Sequence, residues 1–227
     1  MNNKLLITTV THGDESFSIP VVEKLAKQFA FIWRKNNLRA YKQNRRFYQK
    51  DLNRSGPGDP KSKIYEERLA YKLIRSYSKF PVVIDIHGST ANCGVFALLS
   101  EPSTQNIELA KRLDVTNVVL WPSMRDSKAP LTQFIPNSLE IECGPMSNPQ
   151  TSRELNRVLK RFLQNKTVIK RQNFFIVTGL LRSKTKYPMQ DFRETKYQGQ
   201  TFVPLLVDQY PGIKCYMMQK ISYTLAT

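Results

Sequence analysis

The chain has two histidines, and both stand at positions where an enzyme could use them. His12 and His87 each follow or end a run of apolar residues that predicts a buried strand, and glycine comes directly after each. Glu15 lies three residues after His12, so one turn of chain can bring an imidazole and a carboxylate to the same cation. With His87 as the third ligand, this set is typical of catalytic zinc, which keeps a fourth position open for water.

A plain structural interpretation of these residues also exists. A histidine at the end of a strand is more often simply hydrogen-bonded, and an isolated His-x-x-Glu match is a weak signal. The zinc interpretation is favoured because both histidines take part and each stands at the end of a predicted strand. In an open α/β sheet, such positions meet in one crevice, where ligands bind.

A second candidate group lies in the basic segment from Arg45 to Arg54. A charge run of this kind is usually a solvated loop. Its last four residues, Asp51-Leu52-Asn53-Arg54, however combine a carboxylate, an amide and a guanidinium. An arginine beside an asparagine can hold a substrate carboxylate. The aspartate could accept the outer N–H of a metal-bound histidine.

A third candidate group is the pair of glutamates before Gly144-Pro145. Alternation along a strand places Glu140 and Glu142 on the same side. Two exposed strand carboxylates would be ordinary. In the functional interpretation, Glu142 at the end of the strand is the general base that activates the attacking water. Cys143, between the strand and the glycine, is expected to pack in the core.

The elements that must position these groups alternate between strands and helices. Strands are predicted over 5–10, 80–88, 94–99, 117–121 and 138–143, and helices over 19–32, 64–77, 103–113 and 149–164. This alternation predicts an α/β layer fold with a largely parallel sheet. The basic, Gly- and Pro-rich stretch over 39–63 is predicted to be a long loop that serves a site.

The pattern changes after about residue 165. The runs over 174–181, 201–207 and 214–222 are β-like, with no convincing helix between them. We therefore expect a catalytic domain over 1–165 and a small β-rich C-terminal domain over 166–227.

Composition limits the class of protein. Hydrophobic residues make up 41% of the 227 residues, enough for a packed core. No apolar run in the chain approaches the length of roughly 20 residues that a helix needs to cross a bilayer. Three widely spaced cysteines give neither a disulfide framework nor a cysteine zinc site. A soluble cytoplasmic protein without membrane association is predicted. The net charge of +17 favours an anionic partner of some kind.

Four motifs, in this order, resemble the succinylglutamate desuccinylase/aspartoacylase family, which is similar in fold to the zinc carboxypeptidases. They are Thr-His-Gly-Asp-Glu, Asp-Leu-Asn-Arg, Asp-Ile-His-Gly-Ser-Thr and Ile-Glu-Cys-Gly-Pro. The resemblance covers residues 5 to about 165 and, more loosely, the tail. It implies a three-layer α/β/α domain with a mixed, largely parallel sheet.

The resemblance also implies roles for particular residues. It implies one zinc ion per chain, held by His12, Glu15 and His87, with Glu142 as the catalytic glutamate. The remaining roles that it implies are oxyanion stabilisation by Arg46, binding of the substrate carboxylate by Asn53 and Arg54, and support of a zinc-bound histidine by Asp51.

Two features depart from the family pattern. Aspartoacylase-like members have a further arginine about ten residues before the catalytic glutamate, where this chain has Thr132, and the nearest arginine is Arg125. A tyrosine of the C-terminal domain closes the family's pocket, and Tyr210 is the candidate here. The short tail is expected to leave the site more open.

Three functions are weighed. The first is a zinc amidohydrolase that cleaves an N-acyl group from a small acidic amino acid, with homo-oligomerisation left open. The second is a carboxypeptidase-like hydrolase acting on a peptide end. The third is a nucleic-acid-binding protein, which would explain the charge through basic clusters over 39–54 and 157–171. It is the least favoured because no nucleic-acid-binding motif is present.

Overall fold

The computed structural model describes residues 4–122, 129–168 and 171–222. Ten strands among these residues form one sheet: β1 (Leu5–Thr9), β2 (Ile32–Lys35), β3 (Val82–Gly88), β4 (Gly94–Leu99), β5 (Asn117–Leu120), β6 (Ser138–Gly144), β7 (Asn173–Leu181), β8 (Thr195–Tyr197), β9 (Gln200–Leu205) and β10 (Cys215–Ile221). The α-helices of the described residues are α1 (Ile19–Ala26), α2 (Leu38–Lys42), α3 (Tyr65–Tyr77), α4 (Thr104–Lys111) and α5 (Pro149–Leu163).

The order of strands across the sheet is β2-β1-β3-β6-β4-β5-β7-β10-β9-β8. The first four run parallel to one another, and β4, β5 and β7 form a second parallel group that runs the opposite way. The last three strands join antiparallel. The expectation of an α/β fold with a mixed, largely parallel sheet is confirmed.

Helices cover both faces of the sheet, because successive strand residues point to opposite sides. On one face Ile7 and Ile84 pack with α1, α4 and α5, while on the other Leu6 and Val83 pack with Ala70 of α3. The apolar side of α5 shows the spacing of three and four that buries one face of a helix. Its buried apolar residues are Leu155, Val158, Leu159 and Phe162.

The prediction of one helix over 19–32 is wrong. α1 ends at Ala26, and Ile32 begins β2, which pairs in parallel with β1. Phe29, in the connection, packs against the same core as the helix. The spacing of three and four residues therefore does not come from one helix here. It comes from a helix, a turn and a strand whose apolar residues all face the same core. The predicted loop over 39–63 also contains α2, whose first turn is capped by the side chain of Asn37.

The C-terminal β-rich segment continues the main sheet. β7 pairs in parallel with β5, and Phe174 stands opposite Val118. Apolar side chains from both parts of the chain share one cluster, in which Val119 and Phe175 pack with Leu205 and Met218. The division of the chain at residue 165 into two domains stays a prediction. Among the described residues, no helix has the length and apolarity needed to cross a bilayer.

Candidate active site

Three neighbouring strands bring the candidate residues to one edge of the sheet. β1, β3 and β6 are adjacent and parallel, so their carboxyl ends lie together. His12 follows the end of β1, His87 lies near the end of β3, and Glu142 stands directly opposite His87 in β6. The crevice expected at the ends of the parallel strands is therefore present.

His12, Glu15 and His87 form a buried group that could hold a metal ion. Each offers one ligand atom, and the three atoms lie within 4.8 Å of one another. The Nδ1 atom of His12 is 2.7 Å from Oε1 of Glu15, and the Nδ1 atom of His87 is 3.4 Å from Oε2. The two Nδ1 atoms and the carboxylate therefore face a common point.

The outer nitrogen of each histidine contacts a carboxylate. Nε2 of His12 lies 3.0 Å from Asp51, and Nε2 of His87 lies 3.0 Å from Asp85. Such contacts fix the orientation of metal-binding imidazoles. The contact of Asp51 agrees with the expectation from the sequence, whereas Asp85 was missed. Its position two residues before His87, on the same side of a strand, was the available signal.

The charges around this group favour a cation. Burial acts to lower the pKa of His12, but the negative charges of Glu15 and Asp51 outweigh it and raise the pKa to about 9. The pKa of His87 is likewise raised against burial, mainly by Asp85 and Glu140. Carboxylates that favour an imidazolium also favour a divalent cation at the same place. Two imidazole nitrogens and one carboxylate are a donor set that zinc binds, so the group fits the expected metal.

Glu142 faces the same cavity from β6. Its pKa is raised to about 8, mainly by burial and also by the charges of Glu15 and Glu140, against the opposing charges of His87 and His12. A carboxylate whose pKa is displaced toward neutrality inside a cleft is typical of a group that exchanges protons.

Arg46 approaches the metal-binding group from the basic loop. Its two terminal nitrogens lie 3.4 Å from Glu15 and 3.3 Å from Asp51. The loop is joined to the first histidine motif by the backbone, since the N–H of Gly13 donates to the carbonyl of Arg46. A Cβ on Gly13 would lie 2.2 Å from the carbonyl carbon of Ala40. Glycine after His12 therefore allows the loop to lie this close.

Asn53 and Arg54 form a 3-10 turn, Leu52–Arg54, for which Asp51 is the N-cap. Asn53 is buried, whereas Arg54 is exposed and donates from Nη1 to the carbonyl of Asn53 at 2.7 Å. Both side chains line the cavity with Arg46. The structure thus brings the predicted carboxylate-binding pair to the cavity that also contains the metal-binding group.

The cavity has a volume of about 800 Å³, and the C-terminal segment forms one wall of it. Tyr210 lines this wall, where burial raises its pKa to about 12 in spite of the opposing charge of Arg46. The neighbouring Gln209 accepts hydrogen bonds from the backbone N–H groups of Thr90 and Ala91. The C-terminal loop is thereby tied to the segment that follows His87. Further lining residues that sequence reasoning missed are Trp121, Arg182 and Tyr216.

Comparisons with known proteins identify the family. Residues 1–167 match the family model of the succinylglutamate desuccinylase/aspartoacylase catalytic domain. The chain belongs to this family. A "Probable aspartoacylase" of Acaryochloris marina (strain MBIC 11017) is 26% identical over 167 residues, which are 63% of this chain and 55% of that protein. The chain spans little more than half the length of the curated relatives that it matches.

Solved structures of similar proteins share the fold. The crystal structure of a mutant murine aminoacylase 3 has a TM-score of 0.79 at 16% identity, and the match covers 96% of this chain and 94% of that one. Succinylglutamate desuccinylase from Chromobacterium violaceum has a TM-score of 0.70, also at 16% identity, with 96% and 85% covered. The similarity to the family's known structures therefore extends through the C-terminal strands.

A buried glutamate that sequence reasoning missed holds the basic loop of this protein in place. Glu66, on α3, is fully buried and accepts from the backbone N–H of Tyr48 at 2.7 Å, of Gln49 at 3.1 Å and of Lys50 at 3.2 Å. The side chain of Asn37 adds a fourth donor at 3.2 Å. A single carboxylate therefore accepts from three consecutive backbone N–H groups of the loop between Arg46 and Asp51. Only the position of Glu66 in the first turn of a predicted helix was visible in the sequence.

The residue at the position of the family's expected arginine lies beside a buried glutamate. Thr132, at the position of the expected arginine, is buried and donates to Glu140 at 2.7 Å. Glu140 itself is only 3% exposed and lines the cavity, so the interpretation of Glu140 and Glu142 as two exposed strand carboxylates is wrong. The nearest arginine in the sequence, Arg125, lies outside the described residues.

Proposed function

We propose that the protein is a zinc-dependent amidohydrolase that removes the acyl group from an N-acyl amino acid. The observation that carries the proposal is the buried group of His12, Glu15 and His87 at the ends of parallel strands, with Glu142 opposite His87 in the register. Membership of a deacylase family supports the reaction class.

The zinc ion would be held by the Nδ1 atoms of His12 and His87 and by the carboxylate of Glu15. When bound, it lowers the pKa of the attacking water and polarises the acyl carbonyl. Asp51 and Asp85 hold the two imidazoles in the tautomer that leaves Nδ1 free to bind the metal.

Glu142 moves the proton. It accepts one from the attacking water and gives it to the departing amine, so a single carboxylate acts first as base and then as acid. Its position opposite His87 in the register and at the wall of the cavity suits this role, because both protons are transferred beside the ligands that would hold the zinc ion.

Arginines and an amide bind the remaining parts of the substrate. Arg46 is anchored by Glu15 and Asp51 and stabilises the charge that develops on the acyl oxygen. Asn53 and Arg54 bind the α-carboxylate of the amino acid. Tyr210 closes the cavity over the bound substrate.

Metal analysis and a substrate panel test the proposal together. We expect about one zinc ion per chain in the wild type and its loss in His12→Ala and His87→Ala. The panel contains N-acetylaspartate, N-succinylglutamate, neutral N-acetyl amino acids and short peptides. Release of an acyl group supports the amidohydrolase. Cleavage of the peptides alone would favour the carboxypeptidase-like alternative, and equal zinc in all three proteins would contradict the ligand assignment.

The positive charge is compatible with this function and does not require nucleic acid. In the basic cluster over 157–171, Arg157 and Arg161 both pair with the buried carboxylate of Asp114. Part of that cluster therefore supports the fold. The preference for small acidic substrates and the cytoplasmic location stay predictions.

A further inference from the structure

Glu140 is a buried carboxylate that the proposed chemistry does not use. It lines the cavity with only 3% of its surface exposed. In the register of the sheet it stands opposite Asp85, one side-chain row below the level at which Glu142 stands opposite His87. Its carboxylate therefore lies deeper in the cavity than the reacting groups.

The partners of Glu140 leave one of its oxygens poorly satisfied. Thr132 donates to Oε1 at 2.7 Å, but the donor to Oε2, Nδ2 of Asn53, is at the limiting distance of 3.5 Å. Nε2 of His87 is 3.9 Å away and already contacts Asp85 at 3.0 Å. Within the described part of the chain, no lysine or arginine lies at ion-pair distance from Glu140.

A buried carboxylate with only one long hydrogen bond to Oε2 is expected to need another hydrogen-bond donor. Burying a charge is costly unless it is paired and hydrogen-bonded. Asn53 offers no better contact by turning its amide, since its Oδ1 accepts from the N–H of Leu131 at 3.4 Å. A hydrogen-bond donor on a bound molecule would satisfy Oε2 of Glu140. A positively charged donor would give the strongest hydrogen bond.

We propose that Glu140 marks a subsite for a cationic side chain, so that the substrate is an N-acyl amino acid carrying a side-chain amine. This inference rests on the proposed function. The α-carboxylate meets Arg54 at the exposed side of the cavity, and the side-chain ammonium meets Glu140 at the buried side. Leu98 and Pro130 also line the cavity and offer apolar surface to the methylene groups in between.

An acidic side chain, the one that the family resemblance implies, is the competing occupant, and the cationic subsite argues against it. It would place a second carboxylate beside Glu140 in a site largely removed from water, where like charges repel strongly. A neutral aliphatic side chain would avoid the repulsion but leave Oε2 without its donor. Cationic, neutral and acidic side chains should therefore give high, intermediate and low kcat/KM, respectively.

The first experiment compares kcat/KM for Nα-acetylornithine, N-acetylnorvaline and N-acetylglutamate with the zinc-loaded protein. We expect the ornithine derivative to exceed the norvaline derivative by roughly 10-fold or more, which is the size of one charge-assisted hydrogen bond, with the glutamate derivative lowest. Glu140→Gln should bring the ratio of ornithine to norvaline close to one. Glu140→Asp, which keeps the charge, should retain a preference for the cation.

Exposed Glu108 supplies the matched control, and Glu108→Gln should keep the wild-type ratio. A wild-type preference for N-acetylglutamate, or a ratio unchanged by Glu140→Gln, would overturn the subsite and leave the hydrolase standing. If the wild-type protein has its highest kcat/KM with the glutamate derivative, that result alone contradicts the subsite, whether or not a variant folds.

Calorimetric binding of free ornithine, norvaline and glutamate separates the two proposals. Binding of ornithine that depends on Glu140, without hydrolysis of any derivative, would overturn the proposed function and support the subsite. Neither binding selectivity nor hydrolysis would overturn both.

Discussion

The metal-binding group and the loop from Arg46 to Arg54 border the same cavity but are held in place differently. His12 and His87 stand at the ends of adjacent parallel strands, whose backbone hydrogen bonds fix the distance between them. The central residues of the loop are held instead by side chains of α3: the carboxylate of Glu66 accepts from three of their backbone N–H groups, and Lys50 pairs with Glu67. The backbone of the sheet therefore positions the two histidines, whereas side chains of α3 position the centre of the loop that leads to Asn53 and Arg54.

This contrast predicts that changes in the sheet region alter the reaction itself, as do changes at Arg46 and Asp51, the loop residues that contact Glu15 and His12. Changes elsewhere in the loop should alter substrate binding and stability.

The largest effect is expected at Glu142. Glu142→Gln keeps the shape of the side chain but cannot accept a proton, so kcat should fall by about 10² to 10⁴ with zinc content and thermal stability unchanged. The matched control is Glu108→Gln on the exposed face of α4. Glu140→Gln is unsuitable as a neutral control because Glu140 lines the cavity. A Glu142 variant that lost zinc would indicate a ligand instead of a base.

Within the loop, Arg46 and Arg54 should behave differently. Arg46→Ala should lower kcat by about 10² to 10³, because its contact strengthens as charge develops on the oxygen. Arg54→Ala should mainly raise KM, since a carboxylate contact exists already in the ground state. Arg46→Lys should restore little of the rate, because an ammonium cannot reproduce the forked contacts to Glu15 and Asp51. If both alanine variants raised KM with kcat intact, the role of Arg46 would be wrong.

The carboxylates behind the histidines offer a smaller, direct test of the metal-binding group. Asp85→Asn and Asp51→Asn should each weaken zinc binding by roughly 10- to 100-fold. Competition with a chelator measures this. We expect the Asp85 change to be the more damaging, since Asp85 is buried and also accepts from Thr8 and Thr11. Unchanged zinc affinity in both variants would show that the histidines need no support.

The smallest effect on the reaction is expected at Glu66. Glu66→Gln would turn an amide N–H₂ toward backbone donors, and we expect a loss of about 2–3 kcal/mol in the free energy of unfolding with a several-fold rise in KM. Zinc content should stay the same. Denaturant unfolding measures the stability, and exposed Glu23→Gln is the control, expected within about 0.5 kcal/mol of the wild type. A fall in kcat without a change in KM would break the distinction between the two regions.

The order of elements was largely predictable because most of them carry their own local pattern. The strands that bear His87 and Glu142 lie where the alternation predicts them, and α5 begins at the predicted residue. The failure over 19–32 was also local in origin. Residues of a helix, a turn and a strand face the same core there, and spacing alone does not separate such residues from one helix.

The sequence by itself determined that His12, Glu15 and His87 come together, because they belong to short motifs attached to strands, and parallel strands end at a common edge. It could not determine the surroundings of Glu140 or the anchoring of the loop by Glu66, and it indicated Tyr210 only through the family resemblance. Each of these depends on segments far apart in the chain. Only tertiary packing decides whether such a side chain meets solvent, a backbone N–H group or a substrate.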